Sequence, residues 1–317
     1  MDQPDIAIIL PCYNEGRSIR KVVSDFKAAL PDARVYVFDN NSKDDTRAEA
    51  EAAGAIVRSV RAQGKGNVLR QAFSLLDADI YVMADGDGTY DAAAAPDLVR
   101  ELIENDMDMV VGVRRHEQSN AYRSGHVLGN RLFNWFVGNL FETKLSDIFS
   151  GYRVLSRPFV KSLPALAEGF ETETEMTLHA IELRLPVSEV ETRYGARAEG
   201  DTSKLNTYRD GLRILLYLFR VMKQIRPFYL FNVIAGFFVA ISLGLGVPVI
   251  IEFLITDQVA RFPTAIAASG VMIIGFISFM TGILLDNVAH AHREQKRLAY
   301  LSVQRTKPLV SKPVVSD

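Results

Sequence analysis

The chain has 317 residues, a formal charge of −2 and a single cysteine, Cys12. That length supports a full core plus an accessory region. The near-neutral balance lacks the basic footprint of a nucleic-acid binder, and one cysteine excludes an internal disulfide. The opening Met1-Asp2-Gln3-Pro4-Asp5 has neither the basic region nor the apolar run of a signal peptide.

Up to about residue 226 short apolar runs alternate with helix-spaced segments. Ile6 to Leu10 reads as a first strand, ending in Pro11-Cys12-Tyr13-Asn14-Glu15. Cys12 is read there as small and buried rather than reactive. Ile19, Val22, Val23, Phe26 and Leu30 mark a helix, and Pro31-Asp32 stops it. Val35 to Phe38 is a second strand. It runs into the polar turn Asp39 to Thr46, which can cap the alanine-rich helix that follows. Ala55 to Val57 is a third strand, and Gln63-Gly64-Lys65-Gly66-Asn67 opens a helix over Val68 to Leu76. Ile80 to Met83 is a fourth strand, Asp91 to Asn105 a helix and Met109 to Val113 a fifth strand. A helix is expected from about Thr172 to Leu183, and Val187 to Tyr194 reads as the last strand. The β-α-β-α order predicts an α/β fold with a largely parallel, helix-covered sheet.

Polar residues gather where strands end. Pro11 to Glu15, Asp39 to Ser42 and Asp85-Gly86-Asp87-Gly88-Thr89-Tyr90-Asp91 each follow a strand. In a parallel sheet they share the carboxyl edge, where ligands sit. Asp85 and Asp87 are hard oxygen donors suited to Mg²⁺ or Mn²⁺ shared with substrate phosphates; the same composition also makes an ordinary acidic turn. Gly64-Lys65-Gly66, at a helix start, reads equally as a phosphate site or as a solvated loop. Its spacing fits neither the P-loop nor the dinucleotide fingerprint. Glu171, Glu173 and Glu175 would share a face on a strand but not on a helix, so a common metal site is not expected. Arg197 to Lys204 carries cations at both ends, as a phosphate clamp or a surface loop would.

After Pro227 the composition changes. Pro227 to Ile251 holds 25 residues without a formal charge, and Phe262 to Leu285 holds 24. The first reaches roughly 37 Å as a helix, enough to cross a bilayer core. Arg209, Arg213, Arg220, Lys223 and Arg226 precede the first span, and Arg293, Lys296, Arg297 and Arg305 follow the second. The loop between them carries only Arg261. This bias places both ends in the cytoplasm. Tyr208 to Met222 interleaves leucines with arginines, as an amphipathic helix on the cytoplasmic leaflet does. The expected organisation is a catalytic domain over 1–204, a juxtamembrane helix over 205–226, a transmembrane hairpin over 227–286 and a cytoplasmic helix and tail over 287–317.

These motifs resemble glycosyltransferase family 2, and within it the polyprenyl-phosphate or dolichol-phosphate glycosyltransferases. Pro11-Cys12-Tyr13-Asn14-Glu15 resembles the family's P-x-Y-N-E. Asp39-Asn40-Asn41-Ser42 stands in the place of D-D-G-S, with Asn for the second Asp and for Gly. Asp85-Gly86-Asp87 resembles its D-x-D, Asp147 to Arg153 its D-x-x-S-G-F-R, and Arg197 with Gly200 to Lys204 its R-x-x-G-x-S-K. The resemblance implies a GT-A fold and inverting transfer from a nucleotide-sugar donor to a membrane polyprenyl phosphate. It implies Mg²⁺ or Mn²⁺ at Asp85 and Asp87. Pro11, Tyr13, Glu15 and Asp39 would hold the nucleoside, and Asp85, Arg197 and Lys204 would serve the diphosphate; Lys65, from its place at a helix start, is a further expected donor contact. Asp147 is the family's candidate base. A lipid monophosphate is mostly dianionic at pH 7, its second pKa being ~6, and so is already a nucleophile. Arg123 and Arg131 are therefore the expected acceptor contacts, by bidentate phosphate binding. Two other readings stay open. One is a membrane glycosyltransferase acting on a hydroxyl of a lipid or glycan, with Asp147 as essential base. The other is a non-catalytic nucleotide-sugar scaffold, against which the intact acidic and basic motifs speak. The expected setting is the inner (plasma) membrane, in cell-envelope glycan synthesis; a homo-oligomer is left open.

Overall fold

Ile80–Met83 (β4) is buried at all four positions, as befits a strand covered by helices on both faces. It lies near the middle of a sheet that also contains β1 (Ile6–Cys12), β2 (Arg34–Asp39), β3 (Ile56–Ser59), β5 (Met109–His116), β6 (Arg153–Ser156) and β7 (Val187–Tyr194). The structure, a computed structural model, describes residues 3–116, 146–167, 171–195, 222–223 and 226–304. Among these the strand order is β3-β2-β1-β4-β6-β5-β7. β1 is parallel to β2 and β4, β2 to β3, and β5 to β7; only β6 runs antiparallel to its neighbours.

The helices on the sheet are α1 (Ile19–Ala29), α2 (Thr46–Ala52), α3 (Lys65–Leu75), α4 (Ala95–Glu104), α5 (Arg157–Ser162) and α6 (Thr172–Glu182). Period-two alternation divides the core in two. Ile8, Leu10, Val35, Val37, Ile80 and Val82 pack with Val23 and Phe26 of α1 and Leu98 and Leu102 of α4. Ile9, Phe38, Tyr81 and Met83 face the other way, onto Leu69 and Phe73 of α3, Phe159 of α5 and Met176 of α6. α1 places Ile19, Val22, Val23 and Phe26 inward at helical spacing.

The strand at 153–156 is not expected from the sequence pattern. The run Arg-Val-Leu-Ser is four residues long, opens on a cation and is buried throughout, so it carries neither alternation nor an apolar signature. Its burial is possible because Arg153 finds hydrogen-bond acceptors inside the protein.

The chain divides into two compact units, Met1–Thr207 with Lys296–Asp317, and Tyr208–Gln295. Among the described residues two helices are long and apolar enough to cross a membrane, α7 (Pro227–Thr256) and α8 (Phe262–Ser302). They pack antiparallel. The Ser242 hydroxyl donates to the Ala268 carbonyl at 2.7 Å. A Cβ at Gly275 would lie 3.2 Å from Val239, and one at Gly282 3.0 Å from the Phe231 Cβ. Small residues thus let the helices close up. Nothing from Asp286 to Ser302 is Gly or Pro, so α8 runs on past the apolar stretch without a break. Its last turns belong to the first unit. There Lys296 pairs with Glu182 at 2.6 Å and the Tyr300 hydroxyl donates to Asp108 at 2.8 Å. The amphipathic segment expected over 205–226 lies outside the described residues except at 222–223 and 226.

Candidate active site

Parallel pairing of β2-β1-β4 brings three polar loops to one edge. The β1 loop and the β2 loop are stitched together. Asn40 N–H donates to the Cys12 carbonyl at 2.9 Å. Asn14 N–H donates to the Ser42 hydroxyl at 2.9 Å, and the Asn14 side-chain carbonyl accepts from Lys43 N–H at 2.8 Å. Glu15 and Gly16 N–H reach Thr46 and Asp44. Asp39, the last residue of β2, is 8% exposed and accepts from Ser42 N–H at 3.1 Å. Tyr13 projects from this rim, 47% exposed.

The two asparagines of the β2 loop take different tasks. Asn41 adopts φ 65, a left-handed conformation that asparagine tolerates better than most residues, which fits its position in place of glycine. Asn40 is buried. Its amide donates to the carbonyls of Val60 and Ala62 at 3.1 and 2.7 Å, and its oxygen accepts from Gly64 N–H at 2.7 Å. Asn40 therefore fixes the loop that leads into α3, and an aspartate there would face two carbonyls without a donor.

The acidic stretch sits against β1. Gly86 has no room for a side chain, since a Cβ would lie 2.4 Å from the Cys12 sulfur. Cys12 is 3% exposed. Burial, and then the charges of Glu15, Asp85, Asp39 and Asp87, push its thiol pKa well up, so it is a packing residue. Asp87 accepts from the Thr89 N–H at 3.1 Å and hydroxyl at 2.6 Å. Ser18, at the start of α1, donates to the Gly86 carbonyl at 2.8 Å.

Lys65, at the start of α3, reaches Asp85 and lies 2.6 Å from Glu173 of α6. Burial alone would lower its pKa, but Asp85 and Glu173 outweigh burial and raise it, so the ammonium is permanent. Gly151 faces this cluster: a Cβ there would lie 3.0 Å from Asp85 and 3.1 Å from the Lys65 nitrogen. Gly151 N–H donates to the Tyr90 hydroxyl at 2.8 Å. The three glutamates part as expected for a helix. Glu171 is exposed, Glu173 is buried on Lys65, and Glu175 accepts from Leu166 and Ala167 N–H at 2.7 and 2.9 Å.

Asp147 is gripped by Arg114 of β5. The guanidinium donates from Nε and Nη2 to both carboxylate oxygens, at 2.7 and 2.8 Å. Burial works against the Arg114 charge, but Asp147 outweighs it and raises the pKa. Glu189 of β7 accepts from Ser146 and Asp147 N–H at 2.7 and 3.2 Å. Arg153, fully buried, donates to the carbonyls of Ser150 and Ile148 at 3.0 and 2.6 Å and to the Thr177 hydroxyl at 3.0 Å. Burial lowers its pKa to about 10, which leaves it charged at neutral pH. In the Asp147 to Arg153 motif the arginine thus shapes the loop from within.

Of the residues singled out from sequence, Pro11, Tyr13, Glu15, Asp39, Asp85 and Asp87 gather at and just beyond the ends of β1, β2 and β4, Lys65 reaches Asp85 from the start of α3, and the Asp147 motif is brought to them at Gly151. Arg123, Arg131, Arg197 and Lys204 lie outside the described residues. Sequence reasoning missed Arg114, Glu173 and Tyr90 as members of the site; their partners are far away in the chain.

Asp85 and Asp87 form a hard-oxygen pair, and the Cys12 sulfur packed against Gly86 is a buried thiol kept protonated by its surroundings. Among the described residues no group of three or more His, Cys, Asp or Glu could hold a metal ion. The pair therefore fits an ion that takes its other ligands from phosphate and water, as Mg²⁺ commonly does.

A mostly parallel sheet with this acidic edge, covered by helices, is the architecture of a GT-A-type sugar-transferring enzyme. The chain belongs to glycosyltransferase family 2: residues 7–163 match the Glycosyl transferase family 2 model. It is 32% identical over 300 residues to Glycosyltransferase AglJ of Haloferax volcanii, covering 94% of this chain and 98% of the relative. It is 27% identical over 212 residues to the undecaprenyl-phosphate 4-deoxy-4-formamido-L-arabinose transferase of Shewanella sediminis, covering 60% and 62%. The fold superposes on glucosyl-3-phosphoglycerate synthase from Mycobacterium tuberculosis in complex with Mn²⁺, uridine-diphosphate-glucose and phosphoglyceric acid. That likeness has a TM-score of 0.55 at 25% identity and covers 68% of this chain and 79% of the other.

Proposed function

We propose that this glycosyltransferase moves a sugar, with inversion, from a nucleotide-sugar donor to a membrane polyprenyl phosphate, releasing a nucleoside diphosphate. The observation that carries this reading is the two-pronged hold of Arg114 on Asp147. Both oxygens of that carboxylate are engaged by guanidinium N–H donors, so it is held on Arg114 rather than left open to a substrate hydroxyl. An acceptor that needs deprotonation, such as an alcohol, is poorly served by it; a lipid phosphate, ionised in advance, is not. The two apolar helices and the undecaprenyl-phosphate transferase among the relatives support the same acceptor class. The Mn²⁺ and sugar-nucleotide complex of the structural neighbour supports a metal-assisted donor site.

In this reading Tyr13, Glu15 and Asp39 seat the nucleoside, and Asp85 and Asp87 hold a divalent ion against the diphosphate. That ion supplies charge stabilisation on the leaving group. Lys65, Arg197 and Lys204 add positive charge near the diphosphate, and Arg123 and Arg131 draw in the anionic acceptor. The basic residues flanking the apolar helices support a cytoplasmic catalytic domain with both termini inside. Cysteine placed at Gln258 should then react with an impermeant label from outside intact cells; protection there contradicts the orientation.

The test of Asp147 is a pH–rate profile. Asp147→Asn should stay active, within about tenfold of wild type, because the removed group is not the proton acceptor. Its rate should still rise near the acceptor's own pKa of ~6. Loss of all activity together with loss of that rise would favour the hydroxyl-acceptor alternative.

A further inference from the structure

Lys65 occupies an unusual place. Its ammonium is shared between Asp85, whose side chain is 33% exposed at the sheet edge, and Glu173, whose side chain is 5% exposed. The second Glu173 oxygen, Oε2, is buried and has no hydrogen-bond partner among the described residues. Asp85 is also the carboxylate assigned above to a divalent ion. As the structure stands, one of its oxygens is taken by the lysine.

An ammonium stripped of its counter-ion inside a protein is strongly destabilised. If Asp85 turns to a metal ion, Lys65 needs a second anion already in place. Glu173 is that anion, with an open oxygen and a neighbour that leaves space. Gly151 carries no Cβ at the point where one would lie 3.1 Å from the Lys65 nitrogen and 3.0 Å from Asp85. An ammonium has three donors, so it can engage both Glu173 oxygens without leaving the cluster.

We propose that Glu173 is a positioning residue that takes over Lys65 when a divalent cation binds, releasing Asp85 from its salt bridge to serve as a metal ligand. The inference rests on the metal-assisted reading of the donor site. Without the Glu173 charge, Lys65 has only Asp85 and competes with the cation for it. Without both Lys65 and Glu173, the competitor and its counter-ion vanish together and Asp85 is again available.

The experiment is a titration of the full chain in detergent with Mn²⁺ alone, reading free Mn²⁺ by electron paramagnetic resonance. Glu173→Gln should bind Mn²⁺ at least about tenfold more weakly than wild type, in keeping with the 1–3 logarithmic units that a nearby opposite charge contributes. Adding Lys65→Met to Glu173→Gln should restore affinity to within about threefold of wild type, as expected of coupled neighbours. Asp85→Asn should lose binding, which tests the underlying site separately. If Asp85→Asn binds Mn²⁺ normally, the metal assignment itself fails. If Asp85→Asn loses binding while Glu173→Gln does not weaken it, or the double variant is no better than Glu173→Gln, the handover is wrong and the metal site stands. Should Glu173→Gln not fold, Lys65→Met alone decides: its Mn²⁺ affinity should exceed that of wild type, and equal or weaker binding overturns the proposal.

Discussion

In excess chelator, sugar transfer by this protein should stop, and Mg²⁺ or Mn²⁺ should restore it. The expectation follows from the shape of the acidic edge. β4 leads into two aspartates separated by a glycine that cannot carry a side chain against Cys12. Like charges so placed repel each other unless a cation lies between them. Asp87→Asn should reduce turnover on the order of 10²–10³-fold, the scale of losing one aimed electrostatic contact, with the loss of metal added to it. The variant should remain folded. An asparagine carbonyl can still accept the Thr89 N–H and hydroxyl that Asp87 accepts at 3.1 and 2.6 Å, so the turn survives while one anionic charge is lost. An unchanged melting temperature with collapsed activity is the expected pair of results. Full activity in excess chelator would refute the assignment.

Arg123→Ala and Arg131→Ala should each cost roughly 10- to 150-fold in turnover, the equivalent of about 1.5–3 kcal/mol for a charge-assisted contact to phosphate. The loss should appear in the KM for the lipid acceptor, with donor affinity little changed. The physical task is to bring two anionic substrates together, and cations that meet the acceptor lower that repulsion without touching the donor. Arg→Lys should rescue only in part, because an ammonium cannot reproduce the planar two-pronged contact. Steady-state kinetics with each substrate varied in turn reads the distinction. Arginine changes that alter donor KM alone, or nothing, would remove both residues from the acceptor site.

The parallel half of the sheet was legible because its strands are apolar runs punctuated by polar turns. The same runs place Pro11, Asp39 and Asp85 at one sheet edge. The apolar helices were legible from length and lack of charge, and the continuation of α8 to Ser302 follows from the absence of a breaker. β6 was not legible, since four buried residues opening on Arg153 have no periodicity to read. Nor were the ion pairs that organise the site. Arg114 lies 33 residues before Asp147, and nothing local ties the two together. Among Glu171, Glu173 and Glu175, the sequence does not say which faces inward; the start of α6 at Thr172 decides it. Asn40 matched a motif position associated with the nucleotide, yet its side chain is spent on Val60, Ala62 and Gly64. Motifs bring candidate side chains together, and long-range pairing decides which of them are spent on the fold.

The identity of the nucleophile is open to one direct measurement. The purified protein in detergent is given a labelled nucleotide sugar, Mn²⁺ and either a polyprenyl phosphate or the same polyprenol without its phosphate. A lipid phosphate acceptor predicts labelled lipid and nucleoside diphosphate in equal amounts with the phosphate, and no lipid product with the alcohol. Equal or faster labelling of the alcohol, abolished by Asp147→Asn, would contradict the account and establish transfer to a hydroxyl.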